Sequence, residues 1–264
     1  MNILETIVAH KKKEVAIRQS QTSINALEKS PYFERTTFSL KENLSAENSS
    51  GIIAEFKRKS PSKGWIHEHA SPTEVTQGYQ EAGVSGLSVL TDEGFFGAKA
   101  SDFDAVRKVI NLPMLRKDFM IDEYQIIEAK AMGADVVLLI AACLDPKALY
   151  KLAKLAHSLH LEVLLEVHDA DELQGNIHEF IDLVGVNNRN LKTFEVSIDT
   201  SLKLTKLIPE GIVKISESGL SEVATLHQLK AAGYQGFLMG ENFMKTDNPG
   251  ESCAAFIKEL KQSL

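Results

Sequence analysis

The sequence predicts a (β/α)8 barrel preceded by a helical extension, and three observations carry that expectation. Short apolar runs alternate with amphipathic stretches from residue 51 to residue 264. Runs such as Val136-Val-Leu-Leu-Ile and Val163-Leu-Leu are apolar without a polar face, as parallel strands covered on both sides must be. A weak internal echo recurs: Glu-Ala-Gly83, Ala-Met-Gly133 and Ala-Ala-Gly233 each stop a helical pattern shortly before an apolar run. Glycine tolerates the left-handed conformation that ends a helix, so each echo reads as helix, stop, strand. Eight such units in roughly 210 residues is the repeat of a barrel. A doubly wound open sheet is the competitor, but it usually carries a glycine fingerprint, and no Gly-x-Gly-x-x-Gly occurs here.

The elements follow in order. Ile3, Leu4, Ile7, Val8 and Val15 recur at helical spacing with charge between them, so residues 3–19 read as an amphipathic helix packed on the main body. If that helix lies beside the active mouth, deleting it is expected to weaken substrate binding more than thermal stability. Residues 20–50 are polar and mixed, with Ser-Pro at 30–31 and Asn-Ser-Ser-Gly at 48–51, and read as a connection with a short helix. Strands are expected at 52–56, 86–90, 113–117, 135–141, 162–166, 183–187, 212–216 and 235–239. Helices are expected at 72–82, 101–110, 122–132, 146–159, 169–180, 197–207, 220–232 and 250–262. Residues 1–50 form the extension and 51–264 the catalytic barrel, within a single domain overall. The length leaves no room for a second barrel, so one activity is expected.

Composition narrows the function. A net charge of −7 argues against nucleic-acid binding, which needs a basic face. It permits a small anionic substrate, because local lysines and backbone N–H groups override the global sign. Cys143 and Cys253 are the only cysteines and form no Cys-x-x-Cys pair, which fits a reducing cytosol and disfavours a thiolate metal site. The N-terminus places lysines after its apolar residues, the wrong order for a secretory signal, and no apolar run is long enough to span a bilayer. His67-Glu-His69 and the His157/His160 pair each lack a complete metal-ligand set.

Chemistry gathers at the strand ends. Ile52-Ile-Ala-Glu-Phe-Lys begins apolar and ends charged, and Glu55 and Lys57, two residues apart, point to one side of a strand. On that segment alone an ordinary ion pair before a loop reads the same way. Several other strands end likewise: Arg116, Lys117 and Asp118; Glu166; Asn187, Asn188 and Arg189; Ser216-Glu-Ser218-Gly219; and Gly240-Glu241-Asn242. In a barrel these ends converge on one mouth, where three glutamates and two lysines would shift one another's proton affinity. Gly219 and Gly240 follow the seventh and eighth strands, where barrels often hold phosphate on backbone N–H groups. Ser60, beyond the first strand, would join them once the barrel closes. Phe95-Phe96 and Phe119 fall in loops after strands two and three; packing is the ordinary role of such rings, and gripping an aromatic substrate the functional one. Trp65 reads either as a further grip or as a loop cover.

Five motifs then resemble one family. Ile53-Ala-Glu-Phe-Lys-Arg-Lys-Ser-Pro-Ser-Lys-Gly, Leu112-Pro-Met-Leu-Arg-Lys-Asp-Phe, Leu164-Leu-Glu-Val-His, Gly185-Val-Asn-Asn-Arg-Asn-Leu and Ile215-Ser-Glu-Ser-Gly resemble, in this order, indole-3-glycerol-phosphate synthases of tryptophan biosynthesis. The resemblance implies a (β/α)8 barrel with an N-terminal helical extension. It implies conversion of 1-(2-carboxyphenylamino)-1-deoxyribulose 5-phosphate to indole-3-glycerol phosphate, with loss of carbon dioxide and water and with no metal or organic cofactor. By motif position it makes Lys117 the general acid at the ketone oxygen. Lys57 would hold the anthranilate carboxylate and act again in dehydration. Glu55 and Glu166 would remove protons and stabilise the cationic intermediate. Asn187, Arg189, Glu217 and Ser218 would line the site, with Glu241 beside the substrate. Ser60, Gly219 and Gly240 would hold the phosphate, and Phe96 and Phe119 would bracket the aromatic ring. Two positions depart from the family pattern: Gly97-Ala98-Lys99-Ala100 stands where a Gly-Ser pair usually follows the phenylalanines, and Asn190 replaces an aspartate.

Two other readings compete. Another phosphate-binding barrel, such as a phosphosugar isomerase, has no use for the Glu55, Lys57, Lys117 and Glu166 set. A non-catalytic binding subunit would keep its role after Lys117→Ala. The expected protein is a cytoplasmic monomer acting on a small phosphorylated, anthranilate-derived molecule, away from membranes and nucleic acid.

Overall fold

The computed structural model describes residues 3–190 and 193–262; Met1, Asn2, Leu191, Lys192, Ser263 and Leu264, which fall within the expected extension, fourth motif and barrel, lie outside them. Among the described residues, eight parallel strands close into a barrel: β1 (Ile52–Phe56), β2 (Gly86–Leu90), β3 (Met114–Lys117), β4 (Val136–Ile140), β5 (Glu162–Val167), β6 (Leu183–Asn187), β7 (Val213–Glu217) and β8 (Gly236–Met239). Each pairs with its sequence neighbours, and β8 closes on β1 through Ile52 opposite Phe237 and Ala54 opposite Met239. The expected strands agree with these to within a residue at either end. The glycines of the echo do stop their helices: Gly83, Gly133 and Gly233 all hold positive φ, of 84°, 83° and 99°.

Two apolar layers result from the two-residue period of the strands. Outward residues such as Ala54, Leu87, Val137 and Leu165 pack beneath the surrounding helices. Inward residues Ile53, Leu115, Leu138, Leu164, Ile215 and Leu238 fill the barrel's lower half. The short helix Leu40–Ser45, capped by Ser39 accepting the N–H of Glu42, closes the bottom by burying Leu40 and Leu44 against that inner layer. A buried leucine contributes about 1.5–3 kcal/mol, so this plug seals the N-terminal end. The upper half is left open for polar groups.

The period also decides which strand-end charges reach the interior. Lys117, two residues beyond the inward Leu115, faces in. Arg116 faces out and is fully buried beneath the helices, donating to Gln125 O at 3.1 Å, Glu128 Oε2 at 2.6 Å and Asp118 Oδ2 at 3.3 Å. Asn188 and Ser216 likewise turn outward and bond to each other at 2.9 Å. These three strand-end residues hold the scaffold together, away from the mouth.

The first helix, Ile3–Gln21, lies across the barrel and carries a group that its sequence disguises. Ile7, Lys11 and Val15 are buried in one stripe, each four residues from the next. Lys11 ends in a pocket of carboxylates, with Nζ 2.8 Å from each of Glu14, Asp92 and Asp118. Burial works against the Lys11 cation, but Asp118 and Asp92 outweigh it and raise the pKa. In return, although burial opposes the charge on Asp118, Lys11 and Arg116 hold that carboxyl down at about 2. Among the described residues, no helix is long and apolar enough to cross a membrane.

Candidate active site

Above the leucine floor lies a cavity of about 540 Å³ at the C-terminal ends of the strands. Every residue to which the sequence gave a site role lines it, and so do Ile3, Leu4 and Ile7 of the first helix. Leu90, Leu138, Ile140 and Leu238 make its apolar floor. No strand-end motif marks these four as site residues; their signal is only their place one pleat below the charged ends.

Each charge is held by another strand. Glu55, at the end of β1, takes Lys57 Nζ at 2.7 Å on Oε1 and the Ser88 hydroxyl of β2 at 3.2 Å on Oε2. Lys117, from β3, reaches across to Glu166 Oε2 of β5 and Glu217 Oε2 of β7, both at 2.9 Å. Asn187 of β6 donates to Glu166 Oε1 at 3.0 Å, and its own Oδ1 accepts the Arg189 N–H at 3.0 Å. The side chain of Lys117 is 15% exposed, so the ion-pair cluster is wetted from the cavity alone.

The two carboxylates on Lys117 are not equivalent. Burial disfavours the Lys117 charge, yet Glu166, Glu217 and Glu55 together raise its pKa far above the ordinary lysine value. Burial would also raise Glu166, but Lys117 and His168 reverse this and lower it. Glu217 is pushed up to about 7: burial raises it, Lys117 pulls it down, and the nearby Glu166 carboxylate raises it again. One cation cannot neutralise two carboxylates, so the less supported one keeps a proton more readily. The cluster thus keeps Lys117 charged and makes Glu217 the easier of its two carboxylates to protonate.

Gly185 makes room for that carboxyl. A Cβ on Gly185 would lie 2.1 Å from Glu217 Oε1, so any side chain on this position of β6 displaces the carboxylate. Gly185→Ala should therefore lower kcat by on the order of 10²-fold, the cost of about 1 Å of misplacement at a reacting group. Gly175→Ala, where the added methyl meets nothing within 4 Å, is the matched control. Equal kcat for the two variants would show that the packing of Glu217 on Gly185 is irrelevant to turnover.

One corner of the cavity differs from the rest. Because β7, β8 and β1 are adjacent, Ser218, Gly219, Gly240 and Ser60 come together there. Ser218 and Gly219 both hold left-handed backbone, at φ of 69° and 72°. For a serine this conformation costs about 1–3 kcal/mol. Lys63 stands at the rim with Nζ 3.7 Å from Glu241 Oε1. Phe96 and Phe119 line the cavity as well, with ring centroids 6.2 Å apart. That is contact distance between aromatic rings, so they form one wall rather than the two sides of a slot. The altered loop after Phe96 is well accommodated: Gly97, at φ 68°, ends the short helix Glu93–Phe96 and lies against the Trp65 ring. The histidines weighed as metal ligands stand apart from this cavity, and His157 is bonded to Asp182 at 2.8 Å.

A barrel mouth that gathers a charged lysine, its glutamates and a pair of aromatic rings around one cavity defines a class: a barrel with the groups for acid–base chemistry on a small molecule. The comparisons with known proteins make that class specific. A family model described as indole-3-glycerol phosphate synthase matches residues 4–260. The indole-3-glycerol phosphate synthase of Bacteroides thetaiotaomicron is 47% identical over 260 residues, covering 98% of this chain and 99% of its own. That of Burkholderia multivorans is 43% identical over 255 residues, covering 96% and 98%. The chain belongs to the indole-3-glycerol phosphate synthase family, and with it to the carboxy-lyases of tryptophan biosynthesis. Among solved structures, a chain of a designed cube-shaped protein cage matches with a TM-score of 0.60 at 13% identity, over 81% of this chain and 73% of its own. A structure described as native KDPGal matches at 0.57 and 14% identity, over 80% and 95%. At such identities only the fold is shared.

Proposed function

We propose that this mouth closes the indole ring of 1-(2-carboxyphenylamino)-1-deoxyribulose 5-phosphate, with Lys117 as the acid at the ketone oxygen. The observation that carries the reading is the Lys117 ammonium, 2.9 Å from two glutamates inside a cavity that is also lined by Phe96, Phe119, Ser60, Gly219 and Gly240. The corner of Ser60, Gly219 and Gly240 takes the phosphate, and Phe96 and Phe119 lie along the aromatic ring. Lys57 faces the anthranilate carboxylate, and Arg189 and Glu241 close the rim.

The chemistry uses these groups in turn. The ring carbon bearing the carboxylate attacks the ketone, and the oxygen, becoming an alkoxide, takes the Lys117 proton. An ammonium stays charged until it meets such a base, which suits a lysine whose pKa has been raised. The resulting cation at nitrogen is stabilised by Glu166 and Glu55. Loss of carbon dioxide returns the electron pair of the broken bond to the ring. Hydroxide then leaves as water with a second proton, placed by Lys57, while a glutamate removes a proton from the neighbouring carbon. Two protons are consumed and one is released, so each turnover draws one proton from solvent. Asn187 and Ser218 keep the carboxylates and the substrate in register.

The same reading describes a cytoplasmic monomer in which residues 1–50 extend a barrel of residues 51–264, acting on a small molecule. Its supports are the free thiols of Cys143 and Cys253 and the continuity of one cavity across extension and barrel. The test follows indole fluorescence as the purified protein acts on the carboxyphenylamino substrate. Turnover without added metal is expected. A folded protein that binds phosphate but forms no indole would sink the proposal and favour an isomerase.

A further inference from the structure

His168 is a partly buried titratable group that the ring-closure chemistry does not use. It directly follows β5, two residues beyond Glu166 and on the same side of the chain. The first turn of the next helix, Ala170–Asn176, returns Glu172 to it. Glu172 Oε2 accepts both the His168 backbone N–H at 2.8 Å and the ring Nδ1 at 3.1 Å. That pair of bonds fixes the ring, with Nδ1 as donor. The other nitrogen, Nε2, is buried with no hydrogen-bond partner and stands 3.6 Å from Glu166 Oε1.

We propose that the His168–Glu172 pair is a positioning dyad that holds Glu166 as a fixed carboxylate and leaves Glu217 to take and return the proton shared with Lys117. This rests on the synthase reading and deepens it. The two carboxylates have unequal support: among the described residues Glu166 has Lys117, Asn187 and the imidazole, whereas Glu217 has Lys117 alone and an Oε1 without a hydrogen-bond partner. Every group facing His168 agrees with a protonated ring. Glu172 faces it from the following helix, Glu166 from its own strand and Glu217 from β7. Lys117 lies beyond Glu166, already paired. Cys143, in the turn after β4, is kept a neutral thiol by burial and by Glu166 and Glu172. Burial opposes the ring's charge, but the glutamates prevail and its pKa is raised. Glu217 is then the inlet for the solvent proton that each turnover requires.

The test is a pH profile of kcat for His168→Leu, His168→Gln and Glu172→Gln. Without the imidazolium, Glu166 binds a proton at higher pH, so the acid limb should move up by about one unit or more, as for loss of an opposite charge at this range. kcat should fall by about 10-fold and KM should stay within about 3-fold, since the dyad acts on proton transfer rather than substrate contact. Gln at 168 keeps a donor without charge, so its limb should move as the Leu limb does. Histidine nitrogen NMR gives a readout free of turnover: the His168 titration should lie above about 6.5 and drop in Glu166→Gln. Superimposable limbs in folded His168 and Glu172 variants, or a His168 titration indifferent to Glu166→Gln, would overturn the dyad and leave the synthase reading standing. Absence of turnover in the unmodified protein would sink that reading, while the NMR titration still decides the dyad.

Discussion

Lys117→Ala should lower kcat by about 10²–10⁴-fold, the usual range for removing a positioned acid. KM should move only a few-fold, because the residues proposed to hold the phosphate and the aromatic ring are Ser60, Gly219, Gly240, Phe96 and Phe119 rather than Lys117. The fold should survive, since the abandoned carboxylates of Glu166 and Glu217 face the wet cavity and Glu217 is already pushed up to about 7. One of them takes a proton and the repulsion ends. Lys117→Arg separates two roles that alanine removes together. An arginine preserves the ion pairs but does not release its proton, so it should be as impaired as alanine if Lys117 is the acid. An arginine variant within 10-fold of the unmodified enzyme would reduce Lys117 to an electrostatic prop.

The second large effect lies at the eleventh residue, within the first helix. Lys11→Met should cost about 3–5 kcal/mol of stability, because it leaves carboxylates uncompensated in a dry site. Lys11 is fully enclosed, as are Asp92 and Asp118. In a chain of this size that corresponds to a fall in Tm on the order of 10 °C. KM should rise as well, because the stripe that carries Lys11 also presents Ile3, Leu4 and Ile7 to the cavity. The sequence led us to expect that losing this helix would weaken binding more than stability. The buried charge cluster changes that expectation: both should fall together. A Lys11→Met protein that melts normally would mean that water reaches Asp92 and Asp118 after all.

How much was legible beforehand depended on how local the signal was. The eight strands could be read because each is a short apolar run stopped by glycine or charge, and those are properties of a few neighbouring residues. Glu55, Lys117, Glu166 and Glu217 could be listed because each ends such a run, and the five motifs tied them to one family. Arg116 and Lys117, by contrast, looked alike in sequence. The pleat sends one outward to Glu128 and the other inward to Glu166, and only the barrel's closure says which direction is inside. Lys11 was hidden in Lys11-Lys12-Lys13, which reads as a solvated run. Its one clue was its place midway between Ile7 and Val15 at four-residue spacing.

The sequence by itself determined the alternation of strand and helix, the glycine stops, the family and the set of chemical groups at the strand ends, because hydrophobic period, turn chemistry and motif order are written along the chain. Tertiary structure alone decided which charges share a cation, that Gly185 must lack a side chain beneath Glu217, and that His168 stands beside Glu166 with no such neighbour of Glu217 among the described residues. Those outcomes depend on distances of a few ångströms between side chains 49 and 100 residues apart, as in the contacts of Lys117 with Glu166 and Glu217. Proton affinity in a buried cluster follows such distances, and no linear pattern encodes them.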